Sequence, residues 1–185
     1  MNIKGKKVTL RAIEEEDLVL LHRWANDPDT QDAIGLIRFP SSMHFHRAWF
    51  DKLKDDQLNH RLAIDAPDLG LLGISSIVNI DWRNNRAWHG VMLGDVDIRG
   101  KGYGVDAVMA TMRYAFEELH FERLDGSIIE YNTTSYSFYC GKLGWKEEGR
   151  RRNYYYRRAR YWDQILVGVT RTDYADLVKK TGYWD

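Results

Sequence analysis

At 185 residues, 44% of them hydrophobic and 29% charged, the chain suits one globular domain with a substantial core. Lys plus Arg and Asp plus Glu each number 27, and this balance argues against a general nucleic-acid or membrane-surface binder. The single cysteine, Cys140, excludes an internal disulfide framework, and no apolar run approaches the length of a membrane span.

Residues 1–7 lack the apolar core of a signal peptide, which with the lone cysteine predicts a cytoplasmic protein. Residues 8–13 alternate and read as a first strand. Glu14, Glu15, Glu16 and Asp17 then crowd acid where a helix dipole favours it, and Leu18, Leu21, Trp24 and Ala25 follow at helical spacing. Asn26-Asp27-Pro28-Asp29 ends that helix. Residues 30–40 are poorly periodic and read as a loop. Ser41 or Ser42 can cap a second helix with Phe45, Ala48, Trp49 and Leu53 on one face.

Residues 61–65 read as a strand closed by Pro67-Asp68, and residues 70–81 as a longer one with Leu72, Ile74, Val78 and Ile80 on one side. Asn84-Asn85 tolerates left-handed backbone and marks a hairpin turn. Residues 87–93 form the next strand, in which Gly90 and Gly94 predict a bulge or a close backbone contact. Farther on, Val105, Val108, Met109, Met112, Phe116 and Leu119 make one helical stripe. A strand over 123–130, a helix over 132–142 and a hairpin with arms at 145–152 and 161–169 follow, then a terminal helix over 171–180. No linker or repeat interrupts the chain. The expectation is one domain over residues 1–185, of layered α/β (α+β) class. Its sheet of about seven strands is mostly antiparallel, with helices on both faces.

Between the strand ending at Leu93 and the stripe beginning at Val105 lies Asp97-Ile98-Arg99-Gly100-Lys101-Gly102-Tyr103-Gly104. Three alternate glycines at the start of a helix let backbone approach a ligand closely, and free N–H groups there attract phosphate. The dinucleotide fingerprint and the P-loop both require other spacings. Arg-x-x-Gly-x-Gly, read as Arg99, Gly102 and Gly104, resembles the pyrophosphate loop of the GCN5-related N-acetyltransferases (GNAT).

A second segment carries the same resemblance. Asn132, Ser135 and Tyr139 are followed by Lys142-Leu143-Gly144-Trp145 and Glu148-Gly149, similar to the family's Asn-x-x-Ser-x-x-x-Tyr and Lys-Leu-Gly-aromatic motifs. One residue is inserted between the tyrosine and the glycine. Counting from Asn132 picks Tyr139; counting back from Gly144 picks Cys140. Tyr139 is preferred, because a π-type turn at Gly141 absorbs the insertion.

The resemblance, nearest to ribosomal-protein-alanine, spermidine and amino-sugar acetyltransferases, implies the acyl-CoA N-acyltransferase fold. It also implies acetyl-CoA as donor and a primary amine as acceptor. The pyrophosphate would lie on Arg99, Gly100, Lys101, Gly102, Tyr103 and Gly104. Bulged Met92, Leu93 and Gly94 would face the pantetheine arm, which Asn132 contacts in relatives, and the Leu93 N–H would polarise the thioester carbonyl. Tyr139 would protonate the leaving thiolate. The first two helices and the loop between them would form one acceptor wall.

A base is expected for the amine, with His89 a candidate and Asp81 and Glu130 others. Cys140 has no evident His partner as a nucleophile. No metal is expected: no cluster has zinc spacing, and His44 and His46 point different ways on a helix. Six arginines interleave with aromatics over residues 150–162. That composition fits a solvated hairpin, an RNA-binding face or a clamp for an acidic acceptor. The leading function is an N-acetyltransferase. The alternative is a non-catalytic acyl-CoA-sensing or RNA-binding module. The surplus of aromatics, with Tyr183-Trp184 at the C-terminus, leaves room for a homodimer.

Overall fold

The computed structural model describes residues 1–34 and 39–185. Two short strands, β1 (Ile3–Lys4) and β2 (Thr9–Arg11), precede helices α1 (Leu18–Ala25), α2 (Pro28–Ile34) and α3 (Met43–Leu53). Strands β3 (His60–Ala66), β4 (Gly70–Asp81) and β5 (Arg86–Leu93) lead to α4 (Tyr103–Arg113), which continues as a π turn over Tyr114–Glu118. Then come β6 (Arg123–Ile129), α5 (Thr133–Tyr136) with its own π turn over Ser137–Lys142, β7 (Lys146–Arg157), β8 (Arg160–Thr170) and α6 (Arg171–Thr181).

The strands form one sheet in the order β1-β2-β3-β4-β5-β6-β8-β7, antiparallel everywhere except between β5 and β6. The sheet has eight strands where about seven were expected, because residues 3–4 pair with residues 9–10. Helices cover both faces. Ala107 and Ala110 of α4 pack with Val8, Leu10, Ile64 and Leu72, and Val108, Met109 and Met112 pack with Ile77, Leu124 and Val167. On the opposite face Leu18, Leu21 and Trp24 of α1 pack with Ala63, Leu71 and α3.

Several local expectations change. Residues 30–34 are helical rather than loop, because Pro28 suits a first helical position and the Asp27 carboxylate accepts the Thr30 amide at 2.8 Å. Residues 35–38 of that expected loop lie outside the described residues. On α3 the Ser42 side chain accepts the Phe45 amide at 3.2 Å, as a cap should. The inward face, however, is Met43, His46, Trp49, Phe50 and Leu53, while Phe45 and Ala48 are exposed. On β4 the alternation breaks twice, at Leu72, an extra residue where pairing with β3 shifts register between Ile64 and Asp65, and at Asn79 (φ +51°), where pairing with β5 shifts register. Ser75 and Ile77 therefore face α4, and the Ser75 hydroxyl meets Thr111 at 2.8 Å.

The expected bulge at Met92–Gly94 is absent. Residues 88–93 pair with residues 73–78 without interruption. Gly94 is instead a close contact, since a Cβ there would fall 1.9 Å from the Trp24 indole. The π turn anticipated at Gly141 is present and begins earlier, at Ser137. The arginine-rich stretch is the long β7–β8 hairpin, turned at Arg158 and Ala159 with φ of +50° and +57°.

Candidate active site

The cleft begins where β5 and β6 part. They pair in parallel only from Arg86↔Arg123 to Trp88↔Asp125, after which β5 runs on to Leu93 and β6 to Ile129 unpaired with each other. Amides alternate between the two edges of a strand. The Gly94 amide reaches across to the Leu72 carbonyl at 2.9 Å, so those of Leu93 and Val91 face the gap. A backbone edge left open inside a protein calls for a ligand or side chains to satisfy it. The cleft measures about 1340 Å³.

The glycine loop closes one end. Gly100 and Gly102 have φ of +77° and +88°, a region that L side chains avoid, and Gly102 is the N-cap of α4 with no side-chain cap. The first amides of α4 thus stay uncovered. Gly104 is closely covered: a Cβ there would approach Leu93 Cδ1 to 3.2 Å and Phe138 to 3.5 Å, so Leu93 would have to give by a few tenths of an ångström. Arg99 Nη2 lies 3.4 Å from the Leu93 carbonyl oxygen, and Lys7 Nζ donates to the Lys101 carbonyl at 2.9 Å. One turn into α4, the buried Asp106 carboxylate accepts the amides of Lys6, Lys7 and Val8 at 2.8, 2.6 and 2.8 Å. That clamp ties the loop to the start of the chain.

Tyr139 forms the opposite side of the gap. Its ring packs against His89, Trp145 and Phe138 at centroid distances of 6.1, 5.0 and 5.1 Å. Burial raises its phenol above the ordinary tyrosine value, against the opposing effect of a hydrogen bond from the Val91 main chain. The phenol thus sits on the splayed edge and stays protonated. Cys140 packs on the core outside the cleft wall, and burial raises its thiol. The inserted residue is taken up by the π turn, so of the two only Tyr139 faces the cleft.

His89 lies beneath Tyr139 and is buried. Its Nδ1 is 3.0 Å from the Ser76 carbonyl, while Nε2 has no partner among the described residues. Burial lowers its pKa to about 4 despite that contact, so the ring is neutral near pH 7. Asp81 is held in the hairpin turn by Asn84, and Glu130 is held near Arg150 at 3.7 Å; neither borders the cleft.

The structure brings Met92, Leu93, Arg99, Gly100, Gly102, Gly104, Asn132, Tyr139 and His89 to this one cleft. Gly94, Lys101 and Tyr103 lie outside its wall: Gly94 is covered by Trp24, and Tyr103 packs against the core cluster that holds Val8 and Leu10. Asn132 borders the cleft with both ends of its amide engaged. The oxygen accepts the Ser135 amide at 2.9 Å, and the nitrogen donates to the Ala33 carbonyl of α2 at 2.7 Å.

Sequence reasoning missed the other tie to α2. The Tyr131 hydroxyl donates to the Asp32 carboxylate at 2.9 Å, and Arg158 pairs with the same carboxylate while its guanidinium lies 4.5 Å from the Tyr131 ring. The partners are 99 and 126 residues apart in sequence, so no local pattern marks them. Other arginines of the hairpin are also engaged: Arg150 with Glu147, Arg151 with Gln164, and Arg160 over the Trp162 ring.

A family model described as an acetyltransferase (GNAT) domain matches residues 7–146. The chain is 25% identical over 170 residues to the SPbeta prophage-derived uncharacterized N-acetyltransferase YokL of Bacillus subtilis, covering 92% of this chain and 93% of that protein. It is 26% identical over 174 residues to the uncharacterized N-acetyltransferase p20 of Bacillus licheniformis, covering 92% and 96%. Among solved structures, spermidine N-acetyltransferase from Vibrio cholerae, crystallised with CoA and spermine, superposes with a TM-score of 0.85 at 19% identity over 92% of this chain and 99% of that one. A GNAT-family acetyltransferase from Bacillus anthracis gives 0.79 at 21% identity over 93% and 99%. With a family match that spans most of the chain, the protein belongs to the GNAT acetyltransferases.

Proposed function

We propose that the protein transfers the acetyl group of acetyl-CoA to a primary amine by direct attack while both substrates are bound. The observation that carries this reading is the conjunction at one cleft mouth of three features. These are the splayed β5 edge, the Tyr139 phenol on Val91, and the bare glycine loop at the start of α4.

Acetyl transfer forms an N–C bond, breaks the thioester C–S bond and releases coenzyme A as a thiol. The chain's residues suit each requirement. Uncovered amides between Gly100 and Gly104, with the nearby Arg99 charge, suit a diphosphate. The gap-facing Leu93 amide is oriented to donate to the carbonyl oxygen as negative charge develops. Tyr139, held protonated, donates its proton to the leaving sulfur. His89 supports the Tyr139 ring from below. With a pKa of about 4 it is too weak and too enclosed to deprotonate an alkylammonium, so that proton leaves through solvent in the open cleft.

Direct transfer is favoured over an acetyl-enzyme because the sole cysteine lies outside the cleft wall. The test is coenzyme A thiol release with acetyl-CoA and a panel of N-terminal peptides, polyamines and amino sugars. Initial-rate plots that intersect are expected. Parallel lines, or no acetyl-CoA binding by calorimetry, would sink the proposal.

A further inference from the structure

The cleft has a second half, on the α1–α3 face, and it contains a cation with no hydrogen bond or ion pair among the described residues. Arg61 pairs in register with Ser76, and Ser76 with Gly90, so the three side-chain positions form one row across β3, β4 and β5. The next row on that face, Ala63-Ile74-Met92, packs with α1 and α3. All three residues of the Arg61 row line the cleft, and a Cβ at Gly90 would meet nothing within 4 Å. The floor of this half is therefore open above Gly90, the residue before Val91, whose main chain meets Tyr139.

Arg61 is half-buried there, and among the described residues its guanidinium makes no hydrogen bond, ion pair or ring contact. The other cleft cations are placed differently. Arg158 is paired with Asp32, Arg99 sits on the glycine loop beside Leu93, and Lys142 is exposed to water at the end of the Ser137–Lys142 π turn. Asp56, which feels the Arg61 field, already accepts hydrogen bonds from Asn59 and Leu58. Of the two carboxylates on the wall, Asp32 is committed and Asp29 is exposed on the first turn of α2.

A planar guanidinium with its donors unused, partly removed from water, fits a carboxylate or phosphate bidentately. It repels a second cation at that end. Two strand spacings separate the Arg61 and Gly90 main chains, about 9.5 Å. A small molecule therefore spans from the guanidinium to the transfer point. Leu21, Trp49 and Ile74 supply apolar wall between them.

We infer that the amine acceptor carries an anionic group, carboxylate or phosphate, which Arg61 binds while the amine is presented at Val91 and Tyr139. This rests on the acetyl-transfer reading above. It separates the protein from an enzyme for simple polyamines.

The experiment uses matched pairs at saturating acetyl-CoA, read by thiol release. Glucosamine 6-phosphate is compared with glucosamine, and a glycyl dipeptide with its C-terminal amide, with spermidine as a cationic probe. The anionic member of at least one pair exceeds its neutral twin at least tenfold in kcat/KM. The first pair reports phosphate and the second carboxylate. In Arg61→Met that gap shrinks below threefold with the acetyl-CoA KM within twofold, and Arg61→Lys retains an intermediate gap. Equal or better turnover of neutral amines or spermidine overturns the inference. So does a gap that survives Arg61→Met, or thiol release with no member of the panel despite acetyl-CoA binding. Failure of the wild type to bind acetyl-CoA overturns the transferase reading, and this one with it.

Discussion

The Asp106 carboxylate, one turn into α4, accepts the Val8 amide, 98 positions away in sequence, at 2.8 Å. It takes the Lys6 and Lys7 amides and the Tyr183 hydroxyl as well, so a buried charge is fully solvated by donors. Asp106→Asn keeps the shape but turns an amide N–H toward main-chain donors. The variant loses about 2–4 kcal/mol of stability, read as a lower denaturation midpoint in urea with the slope unchanged. A midpoint equal to wild type would show that the clamp contributes nothing.

Tyr139→Phe removes only the hydroxyl. Turnover falls more than tenfold while acetyl-CoA affinity, measured by calorimetry, stays within about twofold. Burial holds the phenol above its usual range, so the wild-type rate shows no alkaline fall with a midpoint at or below 10 from this group. An unchanged turnover number in the variant would remove the acid role.

At Gly102 the backbone has φ of +88° and a Cβ would stand 3.2 Å from Lys7 Nζ. The lysine tip can move aside, so Gly102→Ala costs about 1–2 kcal/mol in backbone strain. Gly102→Glu adds a negative charge where a diphosphate would lie and weakens acetyl-CoA binding at least tenfold. Near-native circular dichroism alongside an unaltered dissociation constant would show the loop to be misassigned.

Stability depends on acid in a defined window. His89 has a folded pKa of about 4 against 6.5 unfolded, so between these values the unfolded chain binds more protons and stability falls as pH falls. The full change is about 3 kcal/mol, present above pH 6.5 and gone near 4. Asp17 extends the loss to lower pH: burial opposes its charge, but its Arg11 pair at 2.7 Å and the Glu14 amide outweigh that and hold it below 3.8. Urea midpoints from pH 7 to 4 are steeper for wild type than for His89→Gln. Parallel curves would place the histidine in contact with water.

The two family signatures were legible in sequence because each is a local backbone device. A glycine loop before a helix and an Asn-capped turn before a π-type insertion depend on residues within about ten positions of one another. Tyr103 lies in the first motif but outside the cleft wall, because once a helix begins there its side chains radiate in all directions; Lys101 precedes the helix and is tied through its carbonyl to Lys7. Asn132 borders the cleft, and its amide also holds α2 through a carbonyl 99 positions away, a contact that no local pattern marks. The helical nature of α2 was missed because a seven-residue helix has too few apolar positions to show a period.

Sequence alone determined the order and type of most elements and the glycine-rich loop before α4, since hydrophobic period, caps and glycine conformations act over a few residues. Tertiary structure decided where β5 and β6 separate, that Tyr139 rather than Cys140 turns into the gap, and that Arg61 borders the cleft without an ion pair among the described residues. Those outcomes depend on strand register and on contacts between distant segments, which no local spacing encodes.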